Sequence, residues 1–262
     1  MLSRDQVEER IAAVHAEFPW MAPASTFVMN RLRLTTAQGP APAHLPPHIV
    51  LGPPGIAKSS WARALARAFE LPAADIDIGA TNGGTFSISG VERGWGSAAA
   101  GRVVTTMLRE RVANPMVILD EIDKIPTSPR STQGSLPGAF EVLKSMIEPA
   151  TARAWTCPYH QIPFNLSRVS WIMTTNSIDQ LPTAFLDRCR VIRVEGPDHA
   201  QLKNVAAVRL RQLAGGEEAE VLIKGITRLI DTSRRQGGRT SLRGLMRLID
   251  DVISSSDRPR LI

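Results

Sequence analysis

The residues with the most readable chemistry lie between positions 48 and 60: His-Ile-Val-Leu-Gly-Pro-Pro-Gly-Ile-Ala-Lys-Ser-Ser. Gly52, Pro53, Pro54, Gly55, Ile56 and Ala57 make a glycine/proline-rich turn, and Lys58, Ser59 and Ser60 close it. A turn of this kind points its backbone N–H groups inward, where together they hold phosphate oxygens. Gly52 and Gly55 let the backbone curl that tightly. The Lys58 ammonium can reach the outer phosphates of a nucleotide, and the Ser59 hydroxyl can ligate Mg²⁺. One position departs from the pattern G-x-x-x-x-G-K-[ST]. Ala57 stands where a glycine precedes the lysine, and its Cβ resists a positive φ. The expectation is a slightly altered loop that still binds.

A second constellation is Met116-Val-Ile-Leu-Asp120-Glu121-Ile-Asp123-Lys124. An apolar strand delivers two adjacent carboxylates at its C-terminal end, where ligands bind in parallel sheets. Successive strand residues point in different directions, so the two can do different work. Asp120 would hold Mg²⁺ through water, and Glu121 would polarise an attacking water. The plainer alternative, a strand ending in a solvated acidic turn, does not account for the phosphate loop upstream. Cys157-Pro-Tyr-His160 offers two zinc-type ligands with no second pair. The five histidines are scattered, and no Ser/His/Asp arrangement stands out.

These groups need elements to position them. Short apolar runs predict strands at 48–51, 74–78, 116–119, 169–174 and 191–194, with helices at about 59–70, 98–112 and 138–148. Alternation of this kind means an α/β fold with a five-stranded parallel sheet covered on both faces. Upstream, Val7, Ile11 and Val14 stripe a helix that Ser3 can cap, and Phe18-Pro19-Trp20-Met21 ends it. Phe27, Val28 and Leu32 mark a second helix, and the prolines of 37–47 mark a loop. After Gly196-Pro197 only helical spacing remains, as in Leu242, Leu245, Met246, Ile249 and Ile253. The predicted organisation is an N-terminal helical and linker segment (1–47), an α/β core (48–195) and a small all-helical domain (196–262).

At 262 residues, with 43% hydrophobic and 21% charged residues, the chain has the make-up of a globular protein. No apolar run is long enough to span a bilayer. The charged N-terminus is no signal peptide. Two cysteines give no disulfide framework. These features favour the cytoplasm and no membrane partner. The net charge of +6 is compatible with nucleic acid or an acidic partner.

Residues 48 to about 255 resemble the AAA+ ATPase module, most of all that of the Lon protease family. Leu119-Asp-Glu-Ile-Asp-Lys124 matches the Walker B segment of that family. Gln161-Ile-Pro-Phe-Asn-Leu-Ser-Arg-Val169 is similar to the stretch before its sensor strand. Thr175-Asn176-Ser-Ile-Asp-Gln-Leu-Pro-Thr-Ala-Phe-Leu-Asp-Arg188 is similar to the stretch from sensor 1 to the arginine finger. Phe18-Pro-Trp20 resembles the Pro-Trp upstream of the module. The resemblance implies that Asn176 orients the attacking water. It also implies that Arg188 reaches the nucleotide of a neighbouring subunit, with Arg190 as the alternative. Thr240-Ser-Leu-Arg243-Gly-Leu resembles the sensor 2 motif, which puts Arg243 on the γ-phosphate. Glu92-Arg-Gly-Trp95-Gly96 resembles the first pore loop, with Trp95 for the usual tyrosine and Gly96 for its aliphatic partner; Trp95 as an ordinary anchoring aromatic stays open. The loop at 126–138 would be the second pore loop.

The resemblance implies an enzyme that binds and hydrolyses ATP with Mg²⁺ in a homo-oligomer, expected as a hexameric ring. The 196–262 domain would be its lid. It implies a remodeller or unfoldase of protein substrates, without the Ser–Lys protease domain and long N-terminal region of Lon, and open to an adaptor or a separate protease. A DNA-acting motor or loader is the first rival, favoured by the charge. A nucleotide-dependent assembly switch with little turnover is the second, favoured by Ala57.

Overall fold

The apolar runs form one parallel sheet. In a computed structural model of the chain, which describes residues 4–36, 44–80, 86–94, 96–126, 138–235 and 241–256, the sheet has five strands. They are β1 (His48–Leu51), β2 (Ala73–Asp77), β3 (Met116–Asp120), β4 (Ser170–Thr175) and β5 (Arg190–Arg193). Their order is β2-β3-β4-β1-β5, and every neighbouring pair is parallel. All of β1 and β4 is buried, which is why, His48 apart, both read as apolar or small-residue runs. Side chains alternate between two cores. Val50, Met116, Ile118, Ile172 and Ile192 face one; Ile49, Val117, Leu119, Trp171 and Met173 face the other.

The first core is closed by α1 (Arg4–Glu17), α2 (Ala22–Thr36) and α3 (Lys58–Ala68). A short 3₁₀ turn, Pro19–Met21, makes the elbow between α1 and α2. Trp61 of α3 is fully buried and its indole donates to Ser25 Oγ of α2 at 3.1 Å. The residues before the sheet therefore pack into its core. The second face is covered by α4 (Arg102–Glu110) and α5 (Ala139–Ile147) through Val103, Val104, Phe140 and Leu143.

The C-terminal part is helical: α6 (His199–Leu213), α7 (Gly216–Arg235) and α8 (Leu242–Ser256). Asp198 and Gln201 form a capping box that starts α6. Leu202, Ala206, Leu210, Ile226, Leu245 and Ile249 join the first core. No described helix is long and apolar enough to cross a membrane.

The strands lie within a residue of their predicted bounds. The helix expected from about 98 begins instead at Arg102, because Ala99–Ala100 pairs antiparallel with Gly90–Val91. Gly101 crosses so close to Ile88 that a Cβ there would lie 2.1 Å from the Ile88 carbonyl oxygen. A second hairpin, Trp155–Thr156 with Pro163–Phe164, was not anticipated; two-residue ladders leave too little pattern to read.

β1 opens on a buried imidazole. His48 Nδ1 lies 2.9 Å from the Pro46 carbonyl, the ring tilts against Phe27 at 5.3 Å, and Nε2 has no hydrogen-bond partner among the described residues. Burial pushes its pKa down to about 4 from the ordinary 6.5, against a smaller upward pull from the Pro46 bond. The folded chain therefore keeps His48 neutral while the unfolded chain protonates it. Stability is full above about pH 6.5 and falls as the pH drops towards about 4. The expected loss near pH 4.5 is on the order of 2–3 kcal/mol. Denaturant titrations of the wild type and His48→Leu at neutral and acid pH check this. A wild-type acid loss no larger than the variant's would refute it.

Candidate functional site

Three strand ends converge. β1 runs into Gly52, β3 ends at Asp120, and β4 ends at Thr175 followed by Asn176. β1 and β4 are neighbours, yet β1 connects onward to β2 at the edge. The strand order thus reverses beside β1, the place where open α/β sheets bind ligands. A cleft of about 430 Å³ opens there.

The phosphate-type loop forms one wall through Pro54, Gly55, Ala57, Lys58, Ser59 and Ser60. Lys58 is the first residue of α3 and is only 7% exposed. Its Nζ donates to Gly52 O at 2.7 Å, Pro53 O at 2.8 Å and Asn176 Oδ1 at 2.8 Å. Burial pulls its pKa down, while Asp120, Asp123 and Glu121 pull it up. Ile56 turns the other way. Its side chain is buried, wedged so near Gly52 and Gly196 that their Cβ atoms would meet it at 3.1 and 3.2 Å.

Ala57 does adopt the left-handed conformation, with φ 66° and ψ 33°. For an L-residue that costs roughly 1–2 kcal/mol. The clash anticipated from the sequence is therefore present as backbone strain. Glu121 is strained in the same way, at φ 57° and ψ 51°. This turns the chain sharply after β3, so that Asp120 ends the strand and Glu121 leaves it. Glu121 Oε2 lies 2.9 Å from where a Gly79 Cβ would sit, so that side chain rests against bare backbone.

The carboxylates are held by hydroxyls. Ser59 Oγ donates to Asp120 Oδ2 at 2.6 Å. Thr174 Oγ1 donates to Asp120 Oδ1 and accepts from the Glu121 N–H at 3.2 Å. Thr175 Oγ1 lies 3.1 Å from Asp123 Oδ1. Glu121, Asn176 and Thr174 line the cleft with Asp120. Among the described residues no three of His, Cys, Asp or Glu are grouped to hold a metal. Ser59 and Asp120 instead offer two hard oxygens, a set that suits Mg²⁺ completed by water or phosphate.

The opposite wall is α8, with Leu242, Arg243, Met246, Arg247 and Asp250. Arg243 Cβ and Nε come within 3.4 and 3.9 Å of where a Gly55 Cβ would be. Two basic residues of this cleft were not picked out from the sequence. Arg63 lies four residues past Ser59 on α3 and pairs with Asp75. Arg247 lies four past Arg243, and one-turn spacing on each helix was the available signal.

Arg188 is elsewhere. It is 36% exposed, donates from Nε to Glu148 Oε2 at 2.5 Å and from Nη1 to Ala184 O at 2.6 Å. Its partner is thus Glu148 and not the adjacent Asp187. Arg190 is exposed at the start of β5. Gly96 is exposed, with no atom of another described residue, its chain neighbours apart, within 4 Å of an added Cβ. Trp95, Thr240 and most of the loop at 126–138 lie outside the described residues. Neighbouring Arg93 stacks over the Tyr159 ring at 4.9 Å.

The profile of the ATPase family associated with various cellular activities (AAA) matches residues 48–196. The Lon protease of Chloroflexus aurantiacus is 32% identical over 209 residues, 78% of this chain and 24% of that protein. The Lon protease of Mycoplasma genitalium is 30% identical over 210 residues, again 78% of this chain and 25% of the relative. The mitochondrial Lon protease homolog of Yarrowia lipolytica is 32% identical over 158 residues, 60% of this chain and 13% of its own length. The chain thus spans about a quarter or less of these relatives.

Thr174 is fully buried and serves both acidic residues. Thr174→Val keeps the shape, removes the donor to Asp120 and leaves the Glu121 N–H unmatched. The expected destabilisation is about 2 kcal/mol, read from denaturant midpoints. A change below about 0.5 kcal/mol would mean that other groups satisfy both.

Proposed function

The chain belongs to the ATPase family associated with various cellular activities, and from that premise we propose that it is an AAA+ motor that hydrolyses ATP with Mg²⁺ to remodel protein substrates. The observation that carries the reading is the convergence of Lys58, Ser59, Asp120, Glu121 and Asn176 on one cleft. Structural support alone would not require a buried ammonium, two carboxylates and an amide at adjacent strand ends.

The fit to MgATP follows from the donor set. Backbone N–H groups of the turn and the start of α3 would bind phosphate oxygens, with Lys58 on the outer phosphates. Ser59 and Asp120 would hold Mg²⁺, whose charge would offset that developing on the transferred phosphoryl group. Glu121 would take a proton from the attacking water, and Asn176 would orient that water. Arg243 would bring a positive charge from α8, so residues 196–262 would act as a lid. Catalysis on this reading is positioning and charge stabilisation.

Arg188 supports an oligomer. It stands away from the cleft of its own subunit, paired with Glu148, which suits a cation acting on a neighbour in a ring. Protein substrates are supported by the likeness to Lon proteases over the ATPase region. On this reading Trp95 and Gly96 contact the substrate, and an adaptor or separate protease is a natural partner.

Steady-state ATP turnover tests this directly, with and without an unfolded polypeptide or DNA. Glu121→Gln should lower turnover at least about 100-fold while ATP still binds. Stimulation by polypeptide supports the remodeller. Stimulation by DNA alone moves the reading to a DNA motor, and binding without turnover to an assembly switch.

Mixing tests the role of Arg188 in trans. Arg188→Ala and Lys58→Ala subunits, each inactive alone, should regain turnover when co-assembled. Interfaces then pair an intact Lys58 with an intact Arg188. Glu148→Ala should stay active. Equal loss in Glu148→Ala and Arg188→Ala, with no recovery on mixing, would leave Arg188 a local ion-pair partner.

A further inference from the structure

The elbow between α1 and α2 reaches the phosphate loop. The Trp20 indole Nε1 donates to the Ile56 carbonyl at 2.7 Å, in a buried setting. We infer that Trp20 is a positioning residue that holds the Ile56–Ala57 peptide in its binding orientation, offsetting the strain of an alanine at the glycine position. The inference rests on the nucleotide reading above and deepens it.

Ile56 O and Ala57 N belong to one peptide plane. In a trans peptide the C=O and N–H point in opposite directions. Trp20 holds the carbonyl on the core side, and Ala57 lines the cleft. The bond therefore aims the Ala57 N–H away from the core, towards the side where an anion would bind. The φ of 66° at Ala57 works against this. An L-residue relaxes from that region by rotating the peptide, which would break the indole bond and withdraw the N–H. Glycine would not need the restraint.

Trp20 is itself well fixed. It is 7% exposed, packs edge-on against Phe18 at 5.8 Å and 76°, and is flanked by the fully buried Met21. Pro19 stiffens the elbow that presents it. The nearby Trp61–Ser25 bond ties α2 to α3 without touching the loop, so it serves as a control.

The test is a double-mutant cycle on the full chain: wild type, Trp20→Phe, Ala57→Gly and the pair, with Ser25→Ala as control. The readouts are MgATP affinity by calorimetry and the thermal midpoint without nucleotide. Trp20→Phe should weaken MgATP binding about fivefold to tenfold, the worth of one neutral hydrogen bond. In the Ala57→Gly background the same change should cost less than about twofold. Ser25→Ala should leave affinity unchanged. Equal losses from Trp20→Phe in both backgrounds, no loss in either, or a Ser25→Ala loss of the same size would overturn the inference. If the wild type binds no nucleotide, the functional reading fails, and the coupling is still read from the midpoints. If Trp20→Phe does not fold, Ala57→Gly must restore folding, and its failure to do so overturns the inference.

Discussion

A lysine ammonium buried at a helix start constrains the rest of the molecule. Lys58 sits where the α3 dipole is positive and solvent is scarce, so its charge is disfavoured twice. It is tolerated because two loop carbonyls and the Asn176 amide accept from it, with three carboxylates in electrostatic range. Those acceptors come from the ends of β1 and β4, and the carboxylates from the end of β3 and the turn after it. The strands must therefore lie side by side and parallel, and finish at the same level. The register of β1 with β4, Leu51 opposite Thr175, meets that demand.

Two strained residues lie on either side of this charge. Ala57 and Glu121 are both left-handed without being glycine. Neither conformation would persist in an isolated segment. Ile56 is wedged against Gly52 and Gly196 before one of them, and Thr174 anchors the backbone N–H of the other. The surrounding structure over-determines both residues, as expected where backbone geometry serves a site. The buried face of the sheet and the helices before it act as the mould for a loop whose own sequence does not favour its shape.

How far the sequence disclosed this depends on the range of each interaction. The strands were legible because burial on both faces demands continuous apolar runs, as in Ile49–Leu51 and Met116–Leu119. Lys58 and Ser59 were legible from the glycine turn that follows one such run, Asp120 and Glu121 from the end of another, and Asn176 from the resemblance to the sensor 1 stretch. The Gly90–Val91 and Ala99–Ala100 hairpin was not, since its register depends on the close crossing at Gly101. Arg63 and Arg247 carried only one-turn spacing from residues already chosen. Trp20 stood out in sequence, but its partner is a backbone carbonyl, which has no residue type to match.

The α8 helix shows why the cleft and the helical part cannot be treated as separate. Leu242, Leu245 and Ile249 are buried in the core shared with α6 and α7. Arg243, Met246, Arg247 and Asp250 line the cleft from the same helix. The two sets interleave at three- and four-residue spacing, so each turn carries both core and cleft residues. Any rotation of α8 that re-aims Arg243 or Arg247 must also shift Leu245 or Ile249 in a close-packed core. Such a core resists partial adjustment. The cations of this wall should therefore move with the three-helix unit as a body, and whatever draws Arg243 towards Gly55 acts on the whole of that unit.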